Sequence, residues 1–206
     1  MSLPSFTKDD FQIFTVPGLE QRMELIRSHI QPKFQAIGSN LVSELEMKLG
    51  NDMYLHIAKH ARRTVNPPND TWLAIAHDKR GYKKHPHFQV GLFDDHVFVW
   101  LAFIYELPNK KQIGQALLDQ IQLIKELPED YVISVDHTQK DAFPVTNADE
   151  MVKALERFRD IKKGEFLIGK QFSTDDPILQ NGDEFINTVK NIFFTLLPIY
   201  KVSMAA

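Results

Sequence analysis

The sequence predicts a single α+β domain over residues 1–206, a mostly antiparallel sheet of about five strands packed with helices. Three observations carry this expectation. The first third is patterned at helical spacing, three consecutive runs between residues 71 and 105 are rich in β-branched and aromatic residues, and helix and strand patterns alternate thereafter.

Pro17-Gly18 opens the first helical pattern, in which Leu19, Met23, Ile26 and Ile30 recur at three- and four-residue intervals, and Pro32 is expected to end or kink it. Phe34, Ile37, Leu41 and Leu45 continue in a second helix that stops at Gly50. Residues 54–63 read as a short third helix, closed by Asn66-Pro67-Pro68. Residues 71–76, 88–93 and 97–105 read as sequential antiparallel strands, with Asp94-Asp95 joining the last two. The third of these is apolar on both faces, which places it centrally and covered on both sides. A helix is expected over residues 110–126 on Ile113, Leu117, Ile121 and Ile124, then a strand over 131–136. A second helix follows over 147–162, where Asn147 and Glu150 have capping-box spacing. A strand over 165–172 and an amphipathic helix over 183–200 complete the pattern.

At 206 residues, a chain of this length buries roughly 70% of its unfolded surface, enough for its own core. The 43% hydrophobic and 25% charged content is that of a globular protein and not of a disordered one. The absence of cysteine excludes a disulfide framework, thiolate catalysis and thiolate-bound zinc, and fits a reducing cytoplasm. The longest apolar run, residues 97–105, is far short of the about 20 residues of a membrane-spanning helix. No secretory pattern opens the chain, so a cytoplasmic protein without a membrane partner is expected. Neither a glycine-rich phosphate loop nor a Gly-x-Ser-x-Gly elbow occurs, and no cofactor is indicated.

Charge is the main functional signal. The chain totals −3, yet residues 56–87 carry Lys59, Arg62, Arg63, Lys79, Arg80, Lys83 and Lys84 against Asp70 and Asp78, a net +5 that leaves −8 elsewhere. Five of the eight histidines (His56, His60, His77, His85 and His87) share this stretch. On a helix over 54–63, residues 56, 59, 60 and 63 would form one stripe of His, Lys, His and Arg, in which the like charges of Lys59 and Arg63 call for an anion opposite. The alternative is cations favoured by a helix C-terminus or paired with acids elsewhere.

In the second run Lys79, Arg80, Lys83 and Lys84 surround Tyr82, so cations can meet phosphates while the ring offers a stacking surface; a solvated hairpin tip is the bland reading. His56 and His60 also have the spacing of two metal ligands on a helix, and His85 and His87 that of same-side strand residues. Asp136 or His137 are the candidates for a further ligand; Asp136-His137-Thr138 could also hold an oriented imidazole, which a strand-end turn explains equally well. Seven cations in this stretch would repel a metal ion, and the histidines suit phosphate oxygens or proton transfer better.

The expected ligand is therefore a phosphate-bearing small molecule or single-stranded nucleic acid, held by Lys59, His60, Arg62, Arg63, Lys79, Arg80, Tyr82, Lys83, His85 and His87. The alternatives are a phosphoester-processing enzyme using His60 or His87 with Arg62 or Arg63, and a structural module meeting an acidic protein.

Three blocks, HIAKHARRTVNPPNDTW from His56, KRGYKKHPHFQVGLF from Lys79 and KKGEFLIG from Lys162, resemble the YktB-like family, and the similarity runs from Phe6 to the final helix. Leu55 and Thr64 depart mildly from that pattern, which often has proline and serine there. The resemblance implies an uncharacterised bacterial family, chiefly of Gram-positive bacilli, with an α/β or α+β fold. It implies no catalytic residue.

Overall fold

The computed structural model describes residues 3–206. Helices α1 (Lys8–Gln12), α2 (Leu19–Leu25) and α3 (Gln31–Leu49) precede strands β1 (Tyr54–Ile57), β2 (Thr71–Ala76), β3 (His87–Leu92) and β4 (His96–Phe103). After these come α4 (Lys110–Asp119), α5 (Gln122–Lys125), β5 (Val132–Ser134) and β6 (Phe143–Pro144). The chain finishes with α6 (Ala148–Asp160), β7 (Phe166–Ser173) and α7 (Gly182–Ala205). One sheet runs in the order β1-β2-β3-β4-β7-β5-β6, and every neighbouring pair is antiparallel. No helix among the described residues is long and apolar enough to cross a membrane.

The sheet has seven strands where about five were expected, and the two extra ones are its edges. Residues 54–63 do not form a helix. Tyr54–Ile57 pairs with β2, and the chain then turns away at His60, whose φ of 49° is left-handed. A run as short as Tyr-Leu-His-Ile satisfies helical and strand periods alike, so its tertiary partners decide. Here Leu55 fills a notch over Gly38 of α3, where a Cβ would lie 2.4 Å from Leu55 Cδ1. The other edge, β6, is only two residues long and leaves no periodic trace.

Pro32 does not end its helix. A wide π turn over Ile26–Ile30 leads directly into α3, and Pro32, the second residue of α3, follows that turn, whose altered bonding accommodates a residue without an N–H. The helix expected over 110–126 is interrupted after Asp119, yet Ile113, Leu117 and Ile124 stay fully buried across the break. Asn147 caps α6 as its spacing predicts: its side chain accepts from Glu150 N and donates to Glu150 Oε2.

The two faces of the sheet differ in what covers them. On one, Leu73, Ile75, Phe88, Val90, Val99, Leu101, Phe103, Phe166 and Ile168 merge with the apolar stripes of α3, α4, α6 and α7 into the main core. The other carries a separate cluster of Phe93, Phe98, Trp100, Ala102, Ile104 and Leu167, flanked by Trp72, Val132 and Ala142, to which no helix contributes. In register across this second face lie His56, Ala74, Gln89, Trp100, Gly169 and Val132. Beside them Trp72, Gly91 and Phe98 form the neighbouring row. Strand β4 is buried along its whole length, as a strand apolar on both faces must be. Loops, and not helices, close this side.

Candidate functional site

The two basic runs meet on the loop-covered face. His56 points from β1 toward the second run and donates from Nε2 to the Asp78 carbonyl at 2.9 Å. Asp78 in turn organises that run: its carboxylate accepts from Arg80 N at 2.7 Å and pairs with His85 Nε2 at 3.1 Å. Between the runs lies a groove of about 740 Å³ lined by His56, Lys59, Arg80, Lys83, Lys84 and His85, with Asp78 and Glu106 as its acids. A smaller cleft of about 360 Å³ adjoins it, sharing Lys59, Tyr82 and Lys83 and adding His60, Arg62, Arg63 and Trp72. Lys79 lines neither.

The electrostatics of the groove are unbalanced. Lys83 reaches Glu106 at 3.4 Å, but Lys59, Arg62, Arg63, Lys79, Arg80 and Lys84 form no ion pair among the described residues. Elsewhere some cations find carboxylates, Lys33 with Asp10, Lys140 with Asp94 and Asp95, Lys170 with Asp130 and Lys190 with Glu44, while others, Lys111 and Lys153 among them, form no ion pair among the described residues either; what sets the groove apart is the gathering of its cations.

The aromatic and histidine side chains behind the groove are committed to one another. Tyr82, expected as a stacking surface, turns inward: its hydroxyl accepts from Trp72 Nε1 at 3.0 Å, and its ring packs on His56 and His87 at 5.5 and 4.9 Å. Burial pushes the Tyr82 phenol up to about 12. His87 is sealed from solvent, with Nδ1–H donating to His85 O at 2.7 Å and Nε2 accepting from Gln89 Nε2 at 2.8 Å. Both nitrogens are thus occupied, and burial pulls the imidazole down to about 3, so it is neutral and holds the base of the loop. His60 shares a hydrogen bond with Thr71 Oγ1 at 3.0 Å and sets its ring edge-to-face on Trp72 at 5.6 Å. Burial and the charge of Arg63 lower it to about 4. With His56 on a strand and His60 in a left-handed turn, the helical metal-ligand geometry of that pair is absent.

A second group of polar residues approaches Trp72 from the other side of the sequence. Glu165, just ahead of β7 and 3% exposed, accepts from His137 Nδ1 at 2.7 Å and from His137 N at 2.9 Å through Oε2, and from Tyr105 N at 3.3 Å through Oε1. The loop carrying His137 is tied to α6 by Arg157, which donates to Val135 O at 3.2 Å. Burial alone would lower the His137 pKa, but the Glu165 hydrogen bond and the charges of Glu165, Asp70 and Asp136 outweigh it and raise it. Its ring lies 6.3 Å from that of Trp72. Asp70, 7% exposed, receives no hydrogen bond on its carboxyl from any other described residue, and burial pushes it up to about 6 against the pull of His137 and Arg63.

Asp136, His137 and Glu165 bring ligand atoms within 4.8 Å of one another, the spacing a metal ion needs. Hydrogen bonds already engage part of this set, leaving Asp136 Oδ2 and His137 Nε2 without a bond to any described residue. Glu165 Oε2 takes both His137 donors, and Asp136 Oδ1 takes Thr138 N and Oγ1 at 2.9 and 2.7 Å. The arrangement is a hydrogen-bonded carboxylate–imidazole dyad.

Residues 6–200 match the model of a domain of unknown function, DUF1054. The chain belongs to this family. A UPF0637 protein of Shouchella clausii is 57% identical over 207 residues, covering 100% of this chain and 98% of the relative. Another from Oceanobacillus iheyensis is 59% identical over 97% of this chain and 96% of its own, and one from Listeria monocytogenes is 52% identical over 99% and 100%. The YktB-like resemblance seen in the three sequence blocks therefore holds over the full length of the domain.

Within this DUF1054 fold, Asp70 and Glu165 escaped the reading of the sequence, whereas His137 was singled out as a spare ligand or an oriented imidazole without its partner. Asp70 counted only as a charge offset. Glu165 lay in the KKGEFLIG block, where one acid beside two lysines looks like surface. A buried carboxylate between a turn and an apolar strand was the available signal.

Proposed function

We propose that this DUF1054 protein binds a phosphate-bearing ligand, a nucleotide or single-stranded nucleic acid, in the groove between residues 56–63 and 78–85. The observation that carries the reading is the convergence of Lys59, Arg80 and Lys84 with Arg62 and Arg63 of the adjoining cleft, none of them in an ion pair among the described residues. Like charges gathered without counter-charges repel one another, and a bound polyanion relieves that repulsion. Backbone phosphates suit the open groove, while the arginine forks suit a terminal phosphate in the cleft. Asp78 stiffens the second run by accepting from Arg80 N and pairing with His85, which limits the ordering cost of binding.

The test is fluorescence anisotropy of a labelled single-stranded oligonucleotide, with nucleoside triphosphate as competitor. If about four phosphates are contacted, affinity should fall about 50-fold between about 50 and 200 mM salt. Affinity that is insensitive to salt, or unchanged in a Lys59→Ala, Arg80→Ala, Lys84→Ala triple variant, removes this groove from the reading. Capture of an acidic protein in place of either ligand would instead favour a protein-partner surface.

A further inference from the structure

We propose that Asp136, His137 and Glu165 form a binding site for one divalent transition-metal ion, at the end of the sheet where β5 gives way to its loop. The site stands apart from the phosphate-binding reading, since none of the three residues lines the basic groove or the adjoining cleft.

The sheet brings the two acids together. β5 and β7 run antiparallel with Ser134 opposite Leu167, and continuing that register two residues further sets Asp136 across from Glu165. Like charges opposed in this way repel one another. Neither carboxylate forms an ion pair with a lysine or arginine among the described residues. Lys110 and Arg157 reach this end of the sheet, but they donate to the carbonyls of Gly164 and Val135, at 2.9 and 3.2 Å. The basic group that does reach Glu165 is the His137 imidazole, at 2.7 Å.

Burial adds a second, separate argument. Glu165 is 3% exposed, and a carboxylate withdrawn from water is stable when it is paired or bound to a metal. Ligand atoms of the three side chains lie within 4.8 Å of one another. An ion with bonds of about 2.0 to 2.2 Å to nitrogen and oxygen spans such a set with small side-chain movements. The chain holds 27 acidic side chains and 8 histidines, yet among the described residues no other three converge in this way.

Electron pairs remain for the ion. Asp136 Oδ1 is held by Thr138 N and Oγ1, so the carboxylate is already oriented while Oδ2 is free. Glu165 uses three of its about four lone-pair sites, on His137 N, His137 Nδ1 and Tyr105 N. His137 offers Nε2 as it stands, or Nδ1 once the proton it shares with Glu165 has passed to solvent. An imidazole steadied by a carboxylate on its other nitrogen is the usual form of a metal-binding histidine.

The donors select the class of ion. Two carboxylates and an imidazole, with no thiolate, suit Zn²⁺ or Mn²⁺ better than a soft ion, and Ca²⁺ and Mg²⁺ prefer oxygen alone. The two carboxylates also match the double charge. Three protein ligands leave at least one coordination position for water or a ligand atom.

The experiment is isothermal titration of the full chain, first stripped with a chelator, with Zn²⁺ and with Mn²⁺. One ion per chain should bind, with Kd of about 10 μM or tighter for at least one of them. At about 100 times Kd that ion should raise Tm by about 5 to 10 °C. Asp136→Asn is the mildest variant, because Oδ1 can still accept from Thr138, and it should weaken binding at least about 10-fold. Glu165→Gln and His137→Gln should weaken it as much or more. Should either of these misfold, the wild-type and Asp136→Asn titrations still decide. Unchanged affinity in Asp136→Asn places the ion on other side chains and overturns the proposal. Binding of both ions to the wild-type chain weaker than about 10 μM also overturns it, and leaves the His137 imidazole as the counter-group of the two acids.

Discussion

The helix-covered and loop-covered faces of the sheet share the same strands, yet they answer to different constraints. On the helix side, Phe88, Val90, Leu101, Phe166 and Ile168 are fully buried among apolar partners, and nothing there needs a proton or a counter-ion. On the loop side, the same strands present His87, Gln89, Trp100 and Trp72, and the loops add His60, Tyr82, Asp70 and His137. Glycines on this face sit under aromatics. A Cβ at Gly91 would lie 2.3 Å from Phe98, and one at Gly169 would lie 3.1 Å from Trp100. The difference teaches where stability and function separate: one face maximises burial, while the other holds titratable side chains and, at its rim, exposed cations without ion pairs.

Four variants probe that contrast. The largest effect belongs to the helix side, where Phe166→Ala should cost roughly 3 to 5 kcal/mol in urea unfolding, through lost transfer energy and a cavity. A loss under about 1 kcal/mol would mean that this face is not the main source of stability.

Asp70→Asn on the loop side should act in the opposite direction. Its carboxyl is raised to about 6 in the folded chain, above its ordinary 3.8. Its contribution to stability is therefore present below about pH 4 and lost as the pH rises through about 6, and the amide removes that loss. At neutral pH the variant should gain up to about 3 kcal/mol, with no gain at pH near 4. Thermal melts across pH read the difference, and a uniform destabilisation would contradict it.

Tyr82→Phe, which strips the acceptor from Trp72 Nε1, should cost about 1 kcal/mol and leave the groove charges in place. The smallest effect is expected of Lys59→Ala with Lys84→Ala. Stability should change by less than about 0.5 kcal/mol while oligonucleotide affinity falls, separating ligand binding from folding.

Much of the helix side was legible in the sequence. The β-branched and aromatic runs at 71–76, 88–93 and 97–105 located β2, β3 and β4, and the stripe of Phe185, Val189, Ile192, Phe193 and Leu196 located α7, because each signal is contained within its own element. Tyr54–Ile57 was misread because four residues hold too little periodicity, and pairing with β2 together with the Leu55–Gly38 contact outweighed a helical stripe of cations. On the loop side, the charge segregation of residues 56–87 was visible, but the geometry built from it was not. The stripe at 56, 59, 60 and 63 dissolves on a strand and a left-handed turn.

By itself the sequence determined the α+β class, the central apolar strand, the family and the segment in which positive charge collects. These follow from composition, near-neighbour periodicity and long matching blocks, all of which are local along the chain. Only the tertiary structure decided that the two basic runs border one groove, that His87 is sealed while His137 is open, and that Glu165 holds His137 across 28 positions of sequence. Those outcomes depend on sheet register and loop closure, which bring distant residues together through many shared contacts that no single segment encodes.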